Sequence, residues 1–412
     1  MDKQTLKDVL IYQDSITRTN VIPRTLEPII KKELHSPFVV IISGIRRCGK
    51  STLLLELKHN AYYVNFDDER FINLTVADFA LLEETLYELF GEREFFIFDE
   101  IQNISGWERF VRRLHEADKK VFVTGSNATM LSKELGTHLT GRTVSYTLYP
   151  FSFKEFLLFK NISFDHKNLS VTQRAQIKKT FLEFMYTGGF PEFLKTNNVQ
   201  YLQSLYENIL YRDIITRYKL TAEQAVKQTA LYATSNLGKL VSYNQVRKLV
   251  GLSSATTVRE YLDYFENSFL FFQLAKFDHS LKAQSFANKK IYCIDSGLAS
   301  YVGFRMSKDS GRMLENIVFI QLKRLGKEIY YSQTTSSECD FVIKEGMNIV
   351  KAIQVCYDLH EENEKREIKG LIEACKTHKL RNGLLLTYDQ EDSFEKDGVR
   401  ITVMPVWKWL IS

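Results

Sequence analysis

No C-x-x-C pair occurs among the five cysteines, Cys48, Cys293, Cys339, Cys356 and Cys375. Their wide separation excludes the ligand spacing of a zinc site and the paired pattern of a disulfide framework, so free thiols are expected. No run approaches the roughly eighteen uncharged apolar residues of a membrane span. The opening MDKQTLKDVL lacks both the basic start and the apolar stretch of a signal peptide. A soluble cytoplasmic chain with no membrane contact is expected. The charge excess is also small: +5 over 412 residues permits nucleic-acid contact without arguing for it. An N-K-x-D guanine-reading motif is missing, which disfavours a GTPase. Apolar content is not missing: 44% hydrophobic and 13% aromatic residues give cores for two to four domains.

One stretch carries explicit chemistry. PFVVII, an apolar run with the look of a buried strand, leads into Gly44-Ile45-Arg46-Arg47-Cys48-Gly49-Lys50-Ser51-Thr52, and an amphipathic helix is expected over 51–58. The segment fits G-x-x-x-x-G-K-[ST] in full. Backbone N–H groups can wrap a triphosphate only where bulky side chains do not block them, hence the glycines. Lys50 would reach the β- and γ-phosphates of ATP, Ser51 would ligand Mg²⁺, and the helix N-terminus would face the anion.

Hydrolysis needs a metal-side carboxylate and a group that orients water. After a second strand, AYYVNFDD (61–68), and a helix over 77–90, the run EFFIFDEIQ ends in Asp99-Glu100. A buried parallel strand of that kind delivers its acids at the C-terminal sheet edge, where α/β sheets bind ligands. Asp99 would hold Mg²⁺ and Glu100 would polarise the attacking water; the bland alternative is a strand followed by a polar turn. A further strand in KKVFVTGSNATML carries Ser126 and Asn127 at its tip. Either could sense the γ-phosphate, and either could equally cap a helix over ATMLSKEL. One strand between the cradle and the acidic strand is the order of the additional-strand P-loop ATPases.

FFIFDEIQNISGWERFVRRLHE, VTGSNATMLSKELGTHLTGRTVSYTLYPFSFKEFL, YTGGFPEF and YRDII together resemble the AAA-type ATPases of bacteria and archaea related to the archaeal ATPase group. The likeness covers nearly the whole chain. It implies an α/β module with a parallel sheet in the order 5-1-4-3-2, followed by a C-terminal domain of uncharacterised role. It also implies that the arginine of the L-x-G-R segment, here Arg142, is a candidate finger reaching the nucleotide of a neighbouring copy. A surface arginine flanking TVSYTLYP is the plainer reading.

Residues 152–235 read as helical, broken by a turn at Gly188-Gly189-Phe190-Pro191-Glu192. The stretch VSYNQVRKLVGLSSATTVREYL has the shape of a helix-turn-helix with a wing, with a second helix opened by Ser253 or Ser254. If it meets DNA, Thr256, Thr257 and Arg259 would face the groove and Arg247 and Lys248 the phosphates; such domains also serve as packing elements. In the tail, a helix with Glu315, a strand EIYYSQ, Glu338-Cys339-Asp340, a turn at Gly346 and IVKAIQVCYD resemble the fold of the PD-(D/E)XK nucleases. The expected E-x-K reads Gln354-Val355-Cys356, removing a carboxylate and an ammonium together, so a degenerate nuclease-like domain is expected. The charged 360–379 segment reads as a solvated helix, and Trp407 and Trp409 as packing anchors.

The expected organisation is a helical lead (1–36), a P-loop ATPase domain (37–150), a helical lid or bundle (151–235), a winged helix (236–288) and the nuclease-like α/β domain (289–412). The expected function is Mg²⁺-dependent ATP hydrolysis coupled to a partner, DNA or a second copy of the chain being the candidates. A nucleotide-gated switch that binds protein partners is the alternative class, and an ATP-regulated nuclease is a third.

Overall fold

The computed structural model describes residues 1–17, 19–58, 60–127, 139, 141–165, 168–303, 310–335 and 337–412. The chain divides into two compact units, Met1–Tyr149 with Asn267–Phe269, and Pro150–Glu266 with Leu270–Ser412.

Five parallel strands build the first unit: β1 Val39–Ser43, β2 Ala61–Asn65, β3 Phe95–Asp99, β4 Lys120–Gly125 and β5 Thr143–Thr147. Their order is β2-β3-β4-β1-β5, the 5-1-4-3-2 arrangement implied by the resemblance. Central strands of such a sheet are covered on both faces and so need unbroken apolar runs. Val39–Ser43 and most of Phe95–Asp99 are accordingly buried along their length. Leu6, Val9 and Leu10, spaced for one helical face, join the core cluster of Tyr62, Val64, Phe96 and Phe98. The helical lead (Lys3–Ser15, capped by Asp2 accepting from Thr5 N at 2.9 Å) is thus part of this unit's core. Strand β2 stops at Asn65 rather than at 68, because Asn65 Oδ1 accepts from Asp67 N (2.9 Å) and turns the chain. The helix expected from 77 begins at Phe79, after a short 3₁₀ turn, and the helix after the cradle is Lys50–Leu55 rather than 51–58. The ATMLSKEL helix lies outside the described residues.

The second unit opens with helices. Phe153–Phe159 is fixed by a capping box in which Ser152 N donates to Glu155 Oε2 (2.7 Å) and Glu155 N to Ser152 Oγ (3.2 Å). Val171–Thr187 ends at Gly188 (φ +68°), and Pro191 starts the next helix. Helix Val199–Asn208 runs on into a π-helical stretch, Ile209–Thr216. Three short antiparallel strands, β6 Leu240–Val241, β7 Phe271–Leu274 and β8 Lys289–Cys293, pair in the order β6-β8-β7. Helices Tyr243–Val250 and Ala255–Asn267 lie between β6 and β7 in sequence.

Six further strands follow: β9 Glu328–Gln333, β10 Glu338–Glu345, β11 Asn348–Val355, β12 Asn382–Thr387, β13 Asp392–Lys396 and β14 Val399–Pro405. They form one mixed sheet, β13-β14-β12-β11-β10-β9, parallel across β11, β12 and β14. Helix Glu361–Thr377 covers it. The reading of this helix as merely solvated is corrected: Ile368, Leu371, Ile372 and Cys375 enter the core with Val342, Leu385 and Ile401. Trp407 is buried and Trp409 half-buried in the last helix. All five cysteines are free and buried, and among the described residues no helix is long and apolar enough to cross a membrane.

Candidate nucleotide site

Because all five strands of the first unit run parallel, their C-terminal ends share one edge, and the loops after β1, β3 and β4 meet there. The loop after β1 is the glycine-rich segment. Gly44 has φ +153°, and a Cβ there would come 2.2 Å from Leu148 O; Gly49 has φ +106°. Both positions therefore demand glycine. Ile45 and Cys48 point inward; burial pushes the Cys48 thiol pKa up and makes it an inert packing group. Arg47 is exposed at φ +66°, Arg46 and Thr52 are half-buried, and Arg46 Nη1 lies 3.8 Å from Asp67 Oδ2.

Lys50 is 4% exposed, and its ammonium donates to Gly44 O (3.1 Å) and Ile45 O (3.4 Å) while pairing with Glu100 Oε1 at 3.2 Å. Burial opposes the charge, but Glu100, Cys48 and Asp99 outweigh it and raise the Lys50 pKa. For Glu100 burial acts upward, yet the Lys50 ammonium and the Gln102 amide (2.5 Å from Oε2) bring its pKa down to about 2. Glu100 is also the residue that turns the chain: its φ is +52°, and its N–H donates to Thr124 Oγ1 at 2.9 Å.

Asp99, at the end of β3, accepts from Tyr63 Oη (2.9 Å), from the Thr124 hydroxyl and from Ser51. Burial first, then the Glu100 charge, pushes its pKa up. Ser51 and Asp99 thus touch, so the two hard-oxygen groups expected to hold Mg²⁺ fit that ion as a donor set. Ser126 and Asn127 follow β4, which lies between β1 and β3, so both fall between the cradle and the acids. Both are buried, and Ser126 Oγ has no hydrogen-bond partner among the described residues.

Arg142 lies elsewhere. Its carbonyl accepts from Val39 N (2.9 Å) at the start of β1, and its guanidinium pairs with Glu116 at 3.2 Å on the surface. Five residues of β1 separate it from the cradle, roughly 16 Å at about 3.3 Å per residue. It does not complete its own chain's site.

Sequence reasoning missed three groups here. Arg24 is buried and donates to Cys48 O (2.9 Å) and Tyr149 O (2.6 Å), bracing the glycine loop from a segment with no local signal. Tyr63, in the middle of β2, and Thr124, near the end of β4, orient Asp99; their places on the two strands flanking β3 were the available clue.

In the second unit, half-buried Arg247 donates through Nη1 to Leu252 O (3.4 Å) and Ser253 O (3.3 Å), closing the turn between the two helices. Lys248, Thr256 and Arg259 are exposed and Thr257 half-buried; Ser254 Oγ accepts from Thr256 N at 3.1 Å, as a helix cap does. Glu315 and Asp340 come together, but around Lys290 of β8, an ammonium that the sequence reading did not place there. Gln354 bridges Asp340 N (3.2 Å) to Glu367 Oε2 (2.7 Å). Cys356 donates to Asp358 O, and burial brings its pKa up to about 11. Among the described residues no group of three or more His, Cys, Asp or Glu side chains is arranged to hold a metal.

Comparison with known proteins agrees with the first unit's geometry. The AAA domain family matches residues 36–157, and two domains of unknown function, DUF8612 and DUF4143, match 178–309 and 310–409. The uncharacterized protein MJ1544 of Methanocaldococcus jannaschii is 34% identical over 398 residues, spanning 91% of this chain and 88% of that one. An uncharacterized protein of Haemophilus influenzae is 30% identical over 389 residues, 90% and 94% of the two chains. Among solved structures, a signal transduction ATPase with numerous domains and a tetratricopeptide repeat sensor, from Pyrococcus horikoshii, superposes with 15% identity and a TM-score of 0.30. That superposition covers 75% of this chain and 46% of the other, and a likeness so distant supports no functional conclusion. The chain belongs to the family of MJ1544 and its Haemophilus relative, and its residues 36–157 form an AAA domain of the P-loop type.

Proposed function

We propose that the chain binds ATP with Mg²⁺ and hydrolyses it, coupling the nucleotide state to a nucleic-acid partner. One observation carries the reading: Lys50, Ser51, Asp99 and Glu100 meet at the C-terminal edge of a parallel sheet, between a loop that demands glycine at 44 and 49 and the buried Ser126 hydroxyl. Ser51 and Asp99 would hold Mg²⁺, which when bound supplies charge neutralisation at the phosphates. Lys50 would exchange its loop carbonyls for phosphate oxygens. Glu100 then loses its ammonium neighbour, its basicity rises, and it becomes fit to orient and polarise water. Asn127 and Ser126 are the candidate γ-phosphate sensors.

The same Lys50–Glu100 pair favours a second reading, a nucleotide-gated switch with rare turnover, because the water-activating carboxylate is tied to the phosphate-binding lysine before nucleotide arrives. Arg247, Lys248, Thr256, Thr257 and Arg259 form the candidate DNA-facing surface. The nuclease-like resemblance of the tail is proposed as fold kinship without cleavage.

Phosphate release from Mg-ATP, measured alone and with double-stranded DNA, single-stranded DNA and RNA, tests these readings. Turnover stimulated by one nucleic acid supports the first. Tight ATP binding with turnover that no nucleic acid alters supports the switch. Absence of ATP binding sinks both.

A further inference from the structure

Lys290 lies in β8 with Ile291, Tyr292 and Cys293, and it is 2% exposed. A lysine so deep requires partners, and among the described residues it has three: Glu338 Oε1 at 2.7 Å, Asp340 Oδ1 at 2.8 Å and Glu315 Oε1 at 3.1 Å. The acids come from helix Ser310–Arg324 and from the start of β10. An ammonium has three N–H donors and no acceptor, so each proton finds one carboxylate.

The carboxylates are themselves held. Tyr292 Oη donates to Glu315 Oε1 (2.6 Å), and Val355 N donates to Asp340 Oδ2 (3.0 Å). Gly238 passes so close that a Cβ there would stand 2.8 Å from Glu315 Oε2. Gln354 faces Asp340 N and Glu367 instead of adding a fourth acid. Burial opposes charge on Lys290, but Asp340, Glu315, Tyr292 and Glu338 outweigh it and raise its pKa well above the ordinary lysine value.

We infer that the Lys290 ammonium is the built-in cation of this carboxylate cluster, tying β8 to β10 and to helix Ser310–Arg324, and that it keeps divalent metal ions out. An incoming ion would need the same oxygens from the same side, and metal–oxygen bonds are shorter than the ammonium's. Two cations cannot share the space, and displacing the lysine would strand a buried charge. Removing the ammonium while keeping the chain length should therefore turn the cluster into a site for a hard divalent ion, with oxygen ligands only.

The test uses Mn²⁺ as the probe, followed by the loss of its free-ion electron paramagnetic resonance signal in nucleotide-free protein. The parent should show no Mn²⁺ uptake that depends on Asp340, so parent and Asp340→Asn should titrate alike. Lys290→Met should gain a site roughly tenfold or more tighter, and Lys290→Met with Asp340→Asn should lose it. Should Lys290→Met not fold, the parent decides: any shift in its melting temperature between chelator and millimolar Mn²⁺ should be the same in Asp340→Asn. Asp340-dependent uptake or stabilisation by Mn²⁺ in the parent overturns the inference. So does a folded Lys290→Met that binds no more Mn²⁺ than the parent.

Discussion

Lys50 Nζ stands 3.2 Å from Glu100 Oε1 and donates to two carbonyls of its own loop, so the lysine that would meet phosphate is already saturated with protein acceptors. Nucleotide must compete with a nearly buried ion pair. Breaking such a pair is costly unless the incoming group replaces the lost charge, which a triphosphate does for Lys50 and which nothing does for Glu100. The pair thus links nucleotide capture to release of the carboxylate.

The first prediction separates the two roles. Lys50→Ala removes the phosphate-binding charge and leaves Glu100 partly buried without its ammonium, so nucleotide binding should be lost. Glu100→Gln keeps the shape, frees Lys50 from the pair and should bind ATP as tightly as the parent or tighter. Its turnover should fall by roughly 10²–10⁴-fold, the usual worth of a positioned base. A fluorescent-nucleotide titration beside a phosphate-release assay reads both, and hydrolysis at the parent's rate by Glu100→Gln would remove Glu100 from the mechanism.

A second prediction concerns Arg142. Its position at the opposite sheet edge from the cradle leaves only a role in trans, and its ion pair with Glu116, both side chains nearly half exposed, holds it weakly. If it serves a neighbouring copy, activity per chain should climb with protein concentration. Inactive Arg142→Ala and inactive Lys50→Ala chains should then restore activity when mixed, because one supplies the intact cradle and the other the intact arginine. Constant activity per chain across a dilution series would leave Arg142 a surface residue.

The parts of the site that were legible in sequence are the ones whose signals are local. Gly44 through Ser51 encode a loop conformation within eight residues, and FFIFDE encodes a buried strand and its carboxylate tip in one run. Tertiary pairing is different. Lys290 meets Glu315 and Asp340 across 25 and 50 residues, and Arg24 meets Tyr149 across 125. No window of sequence contains both partners, although Lys290 shares a strand face with buried Tyr292, two residues on, which marks an ammonium turned inward. The Glu361–Thr377 helix misled because its many charges mask an apolar stripe at 368, 371, 372 and 375.

The third prediction is a pH dependence at Asp295. This carboxylate caps helix Ser296–Val302, accepting from Leu298 N (2.9 Å) and from Gly189 N (2.7 Å). Burial nonetheless carries its pKa from 3.8 up to about 6, with backbone N–H groups and Arg324 opposing. The folded state therefore holds a proton between about pH 4 and 6 that the unfolded chain has released. Asp295 contributes most below pH 4, and its contribution is lost as pH rises through 6. At about 1.4 kcal/mol per unit, the change is on the order of 3 kcal/mol. Asp295→Asn cannot titrate. The stability of the parent relative to Asp295→Asn, from urea midpoints, should fall between pH 4.5 and 7.5; a constant difference would mean an ordinary carboxyl pKa.

The last prediction is that the purified chain does not nick plasmid or single-stranded DNA with Mg²⁺ or Mn²⁺, with or without ATP. Metal-assisted cleavage needs carboxylates free to share a divalent ion and a cation beside the scissile phosphate. Here Gln354 and Cys356 stand where the E-x-K acid and lysine would be, with Gln354 committed to Asp340 N and Glu367 and Cys356 to the Asp358 carbonyl. The remaining acids, Glu315 and Asp340, are both engaged by Lys290. That ammonium has its own carboxylate partners and is almost wholly buried, so it cannot serve a phosphate as the missing lysine would. Gel assays of supercoiled and single-stranded substrates should show parent and Asp340→Ala lanes alike. Metal-dependent nicking by the parent that vanishes in Asp340→Ala would show that these carboxylates release Lys290 and work as a nuclease centre.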